Sequence, residues 1–231
     1  MIGLPQPCLC LVTDRHRVDP GARTVRDEIA ALEAWLDQAI DAGVDLIQIR
    51  ERDLDAALLG RLVARTVARV GPARQAQQDR QTTTRVLVND RADVVVAAGA
   101  HGVHLRGDGA PSSRVRELVG ADALIGRSIH DPAETTDAAD FFVFGTVFRT
   151  DSKPEGARVA GLDALAEAAR RSSAPVLAIG GVTPALAAAC RRAGAAGIAA
   201  IGIFLPPGRA NNALGPSAAV AALHAAWNLR T

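Results

Sequence analysis

Eight short apolar runs, separated by helix-compatible stretches, constrain this 231-residue chain more than any other feature. The runs fall at residues 9–13, 45–50, 85–89, 102–105, 124–128, 141–145, 175–180 and 197–203. Most are continuous rather than alternating, so both faces of each strand are expected to be buried, as in a parallel sheet. The stretches between them are amphipathic. Residues 28–42 place Ile29, Leu32, Trp35, Leu36 and Ile40 on one helix face, and residues 58–70 do the same with Leu58, Leu62, Val63, Val67 and Val70. Residues 184–193 open with Thr183 as N-cap and Pro184 at the first helical position, and stop before Gly194. Residues 218–227 read as a last helix. Parallel strands joined by helices require right-handed crossovers. Eight repeats in a chain near the roughly 250 residues usual for the fold favour closure. The expected class is α/β, a single (β/α)8 TIM barrel over residues 1–231.

Composition narrows the function. Hydrophobic residues at 48% supply a core, and 26 basic against 25 acidic residues leave a net charge of +1. Nothing there attracts nucleic acid or an anionic membrane, so neither is expected as a partner. No run reaches the ~18 apolar residues of a membrane helix, and residues 1–10 do not read as a signal peptide. With 3% aromatics and no Tyr, a base-stacking platform is not expected. Cys8, Cys10 and Cys190 are odd in number, and they read as reduced core thiols of a cytoplasmic protein. A homo-oligomer is compatible with all of this.

Active sites of barrels lie at the C-terminal ends of the strands, and this chain concentrates polar residues there. The second strand ends in Gln48, Arg50 and Arg52, the third in Asn89-Asp90, the fourth in His104 and then Asp108. The fifth ends in Arg127, Ser128 and His130, and Thr150, Ser152 and Lys153 follow the sixth. Arg50, Arg52, Arg127 and Lys153 are expected to face a common centre and bind anionic oxygens. The seventh strand ends in Gly180-Gly181 and the eighth in Ile201-Gly202. Glycines at those two ends suit a phosphate site built from backbone N–H groups. A histidine side chain can give and take protons near neutrality, so His130 is the candidate acid or base, with Ser128 beside it. His104 reads as a core histidine, and His16, His101 and His224 as solvated. Residues 71–84 read as a loop, and 149–160 as a polar segment able to cover the site.

The blocks LVTDR, GVDLIQIRER, VNDRADVVVAAGAHGVHL, IGRSIH, FGTVFRTDSK and PVLAIGGVTP, with AGAAGIAAIGIF after them, resemble the thiamine phosphate synthase/TenI family over residues 8–206. The resemblance implies a barrel acting on a thiazole phosphate, and two activities. A synthase joins a pyrimidine diphosphate to thiazole phosphate with magnesium; a tautomerase aromatises a carboxythiazole phosphate by moving a proton, without metal. The synthase pattern usually has Lys where this chain has Arg52. It has G-V-H-L-G-Q-x-D where this chain has GVHLRGDG, Ser where it has Gly202, and P-T-x-T-K where it has Arg149 to Lys153. IRER, GRSIH and FGTVFRTDSK look like the tautomerase branch, whereas Gln48 and Asn89-Asp90 look like the synthase. The expectation is therefore a tautomerase without cofactor, in which His130 moves the proton. Its phosphate rests on Gly180, Gly181, Ile201 and Gly202, and its carboxylate lies near Arg50, Arg127 or Lys153. The alternative is a synthase whose magnesium is held by Asp90 and Asp108 beside Asn89. A non-catalytic thiazole-phosphate-binding regulator is a further alternative.

Overall fold

The computed structural model describes residues 3–71, 84–150, 154, 156 and 158–229. Eight strands form: β1 (Cys8–Val12), β2 (Leu46–Ile49), β3 (Arg85–Asn89), β4 (Gly102–Leu105), β5 (Leu124–Ile129), β6 (Phe141–Gly145), β7 (Val176–Ile179) and β8 (Gly197–Ala200). Each pairs in parallel with the next, and β8 pairs back onto β1, so the sheet is a closed barrel. The (β/α)8 reading of the sequence holds. Helices follow the strands: α1 (Arg15–Val18), α2 (Val25–Ala42), α3 (Ala56–Arg69), α4 (Ala92–Ala98), α5 (Ser112–Val119), α6 (Gly161–Arg171), α7 (Pro184–Arg192) and α8 (Pro216–Trp227). Between β5 and β6 the described residues hold only a 3-10 turn, Pro132–Glu134.

Two helices, α2 and α3, start earlier than the apolar period suggests, because polar caps precede the first buried residue. Thr24 accepts a hydrogen bond from the Asp27 N–H and Asp55 from the Leu58 N–H, each satisfying a donor that a helix start leaves open. Thr183 stands at the expected cap of α7, yet its side chain makes no capping bond. The eighth strand is shorter than expected. It stops at Ala200, and Gly202–Phe204 form a 3-10 turn. The turn is pinned from outside: Trp35 Nε1 of α2 donates to the Phe204 carbonyl at 2.8 Å, and the Leu214 N–H donates to that of Ile203. Ile203, Phe204 and Leu205 are buried there, and an apolar run cannot by itself separate a strand from a buried turn.

Burial divides into two layers. Leu32, Leu36, Leu62, Val63, Val86 and Ile198 belong to the larger one, between barrel and helices. Cys8, Cys10, Leu46, Leu87, Leu124, Phe141 and Leu177 fill the barrel interior. Cys8 and Cys10 are core thiols as expected; burial pushes Cys10 up to about 12, so it carries no thiolate near neutrality. The interior accommodates Phe141 because residue 126 has no side chain. A Cβ at Gly126 would lie 2.2 Å from Cζ of Phe141 and 2.7 Å from Nδ1 of His104. Gly126→Ala is expected to cost about 1–3 kcal/mol by overpacking, read as a lower urea midpoint; an unchanged midpoint would show that Phe141 can yield.

Candidate active site

A cleft of about 980 Å³ opens at the C-terminal ends of the strands. Its volume lies at the upper end for small-molecule sites, about 300–1,000 Å³. Most of the expected site residues line it: Gln48, Arg50, Arg52, Asn89, Asp108, Ser128, His130, Thr150, Gly180, Gly181, Ile201 and Gly202. Ser152 and Lys153 lie outside the described residues, as do residues 72–83 of the expected loop and parts of the 149–160 segment. Asp14, Arg17, His104, Arg106, Thr183, Asn211 and Asn212 also line the cleft. Of these, Arg17 had a readable signal in its place just after the first strand; Asn211 and Asn212 come from a distant loop and had none.

The β1 and β2 loops are fixed by a buried ion cluster. Arg15 of α1, 3% exposed, bonds Glu28 at 2.8 Å, Glu51 at 3.2 Å and Asp53 at 2.5 Å. Glu51 also accepts from the Thr13 hydroxyl, whose oxygen accepts the Arg50 N–H at 2.9 Å. Thus in Arg50-Glu51-Arg52-Asp53 the acids hold structure while the two arginines line the cleft. Burial, then the neighbouring Arg52, lowers the Arg50 pKa. Among the described residues, Arg17, Arg50 and Arg52 have no ion-pair partner. Asp14, Asp108 and Glu134 line the same cleft but make no ion pair with these three arginines among the described residues, and unpaired guanidinium groups are suited to anionic oxygens.

Arg127 does not join them. It is buried and paired with Asp137, and it donates to the carbonyls of Arg106, Gly107 and Ala110. Successive strand residues face opposite ways, so with Ser128 lining the cleft Arg127 points outward and fastens the loop after β4. His104 is buried as expected, but it also borders the cleft, with Nε2 2.9 Å from Ser128 Oγ. Burial, helped by Arg127 and Arg50, depresses its pKa to about 3, so it stays neutral. His130 Nδ1 faces the Gly145 carbonyl, and the His130 backbone N–H donates to Glu134 at 2.7 Å. His101 is half-buried rather than solvated, its Nδ1 accepting the Val86 N–H. His16 is 54% exposed but sits between Glu28 and Asp53.

At the β7 end the glycines are required by the backbone packing itself. Gly180 and Gly181 have φ of 96° and 65°. A Cβ at Gly181 would lie 2.1 Å from the Arg149 carbonyl oxygen, so glycine is needed for the β6 loop to pack there. Gly202 is flanked by Asn212 Oδ1 and Arg17 Nη2, 3.3 and 4.0 Å from where its Cβ would stand.

The carboxylates assigned to magnesium in the synthase alternative do not fit it as arranged. Asp90 Oδ1 accepts the Arg106 N–H at 2.8 Å; Oδ2 accepts Asn89 Nδ2 at 2.9 Å and pairs with Arg106 Nε at 2.8 Å. Asp108 lies 3.7 Å from the same Nε. Among the described residues, no three His, Cys, Asp or Glu side chains gather as a metal site.

The fold and cleft define a (β/α)8 barrel with an arginine-lined cleft of small-molecule size at its strand ends. The model of the family described as thiamine monophosphate synthase matches residues 9–204, and the chain belongs to that family. It is 38% identical over 195 residues to a thiamine-phosphate synthase of Anaeromyxobacter dehalogenans, covering 82% of this chain and 80% of that one. It is 34% identical over 219 residues to that of Roseiflexus sp. strain RS-1, covering 93% and 83%. Among solved structures, thiamine phosphate pyrophosphorylase from Pyrococcus furiosus superposes with a TM-score of 0.72 at 25% identity, covering 94% of both chains. These relatives overturn the tautomerase and isomerase expectation in favour of the synthase alternative. That expectation gave too much weight to single departures such as Arg52, which lines the cleft as a cation just as a Lys would.

Two predictions follow from the buried groups. The folded pKa of His104 lies below its unfolded value near 6.5, so stability from its neutral form is full above pH 6.5 and is lost as pH falls toward 3. His104→Gln should therefore show a flatter fall in urea midpoint between pH 6.5 and 4 than wild type; parallel curves would contradict it. Arg127→Met leaves Asp137 unpaired and should cost roughly 3 kcal/mol in unfolding free energy, whereas a residue serving only a ligand would leave stability unchanged.

Proposed function

We propose that this protein joins a pyrimidine diphosphate to a thiazole phosphate and releases diphosphate, as a thiamine-phosphate synthase. The observation that carries this is the division of the cleft. Arg50, Arg52 and Arg106 supply cations on the β2–β4 side. On the β7–β8 side, opposite in strand order, Gly180, Gly181, Ile201, Gly202, Arg17 and Asn212 form a second anion-binding end. Two such ends suit two phosphorylated substrates held together, whereas the single carboxythiazole phosphate of a tautomerase would bring one phosphate and one carboxylate. Val143 and Ile179 line the space between them and favour flat apolar rings there.

In the reaction, the carbon–oxygen bond to diphosphate breaks and its electron pair leaves with the diphosphate. The thiazole nitrogen supplies the pair for the new carbon–nitrogen bond. Negative charge builds on the leaving group, so the guanidinium groups of Arg50 and Arg52 aid departure electrostatically. Gln48, whose Nε2 donates to Asn89 Oδ1 at 2.9 Å, and the His104–Ser128 pair give a neutral polar floor that orients the pyrimidine. Holding both partners in line contributes through proximity. No protein group has to move a proton, so His130 serves as a binding residue. Thr150, which lines the cleft after β6, and Ser152 and Lys153, which follow it in the sequence, are assigned to substrate binding. Buried, reduced thiols suit a cytoplasmic setting.

Incubation with both substrates should yield thiamine phosphate and inorganic diphosphate in equal amounts; absence of both products would sink the reading. Arg50→Ala should raise KM for the pyrimidine diphosphate by about tenfold or more, as expected for loss of a charge-assisted hydrogen bond, with the melting temperature nearly unchanged. His130→Gln should lower kcat by less than roughly tenfold, below the 10²–10⁴ of a general acid or base; a larger loss would return His130 to the chemistry.

A further inference from the structure

We propose that Arg106 is a tethered cation that binds the diphosphate in place of a divalent metal ion, so that this chain captures diphosphate without metal. The inference rests on the diphosphate reading of the β2–β4 side. Arg106 stands where the resembled synthase motif carries Gly, and its guanidinium lies between Asp90 and Asp108, the carboxylates that the synthase alternative assigns to magnesium, Asp108 falling one place before the motif's Asp. Its Nε is anchored on Asp90 at 2.8 Å, and its backbone N–H is held by the same carboxylate. Among the described residues its terminal nitrogens have no partner, the side chain is 54% exposed, and it lines the cleft. An arginine held through Nε with its terminal nitrogens free is oriented to donate to a phosphate oxygen.

The support around it is built for this. Arg127 donates to the carbonyls of Arg106 and Gly107 at 3.1 Å each, which fixes the loop that carries Arg106 and Asp108. Asp90 adopts φ of 58°, an unusual conformation for a residue with a side chain, and there both its oxygens accept bonds. For magnesium to bind, those carboxylate oxygens would have to approach it at about 2.0–2.1 Å. The Arg106 guanidinium would have to leave, and its bond with Asp90 would be lost. A guanidinium is charged at every accessible pH and cannot be removed by a chelator. It supplies one charge where magnesium supplies two, and Arg50 and Arg52 across the same side of the cleft add the remainder.

Titration calorimetry with inorganic diphosphate, in EDTA and in magnesium chloride, tests the proposal without turnover. Wild type should bind in EDTA, with magnesium changing Kd by less than about threefold. Arg106→Gly should lose about tenfold or more of the metal-free affinity, the scale of one charge-assisted hydrogen bond, and should regain it with magnesium. Wild-type protein alone should show no saturable manganese uptake by electron paramagnetic resonance, a readout that needs no folded variant. Binding that requires magnesium in wild type, failure to bind diphosphate under either condition, or tight manganese uptake would each overturn the proposal. Turnover that needs magnesium would overturn it while leaving the synthase reading in place; metal-free diphosphate binding without turnover would do the reverse.

Discussion

Side chains of a strand alternate in direction, and a barrel whose hydrogen bonds run from β1 to β8 and back to β1 cannot slip one strand without breaking both its neighbours. That closure fixes which residue of each strand end borders the cleft. Gln48 and Arg50 are two apart and both line it, while Ile49 between them packs outward. Ser128 and His130 line it together, and Arg127 between Ser128 and Gly126 is turned away. The same rule places Gly126 inward, where its missing side chain leaves room for Phe141 and His104.

The mouth of the barrel depends on charges that never meet a ligand. Arg15, nearly inaccessible, ties Glu28, Glu51 and Asp53 together, and through Thr13 the cluster reaches the Arg50 backbone. Arg127 with Asp137 does the corresponding work for the loop after β4. Buried ion pairs of this kind gain little stability over apolar packing, but leaving one partner alone is costly. Their effect here is positional: they hold the loops from which Arg17, Arg50, Arg52 and Arg106 reach the cleft.

Much of this was legible in the residues. Three strands, β3, β4 and β6, fall where the apolar runs end, because turn residues and glycines bound those runs sharply. The family resemblance, carried by motifs at the strand ends, is the family that the comparisons show. Choosing a branch within it from single substitutions failed, because a replacement such as Arg52 keeps the charge that the site uses.

The sequence by itself determined the class of fold, through period and repeat, and the set of polar residues delivered to the strand ends. Only the tertiary structure decided which of those residues were already satisfied. Arg127 and Arg50 are both arginines at strand ends, yet Asp137 neutralises one, and the other has no ion-pair partner among the described residues. Likewise nothing local to GVHLRGDG says that Arg106 reaches Asp90, which lies sixteen residues earlier, just past the end of the neighbouring strand. Ion pairing is a matter of distance in space, and closing the barrel is what brings those groups within 3 Å.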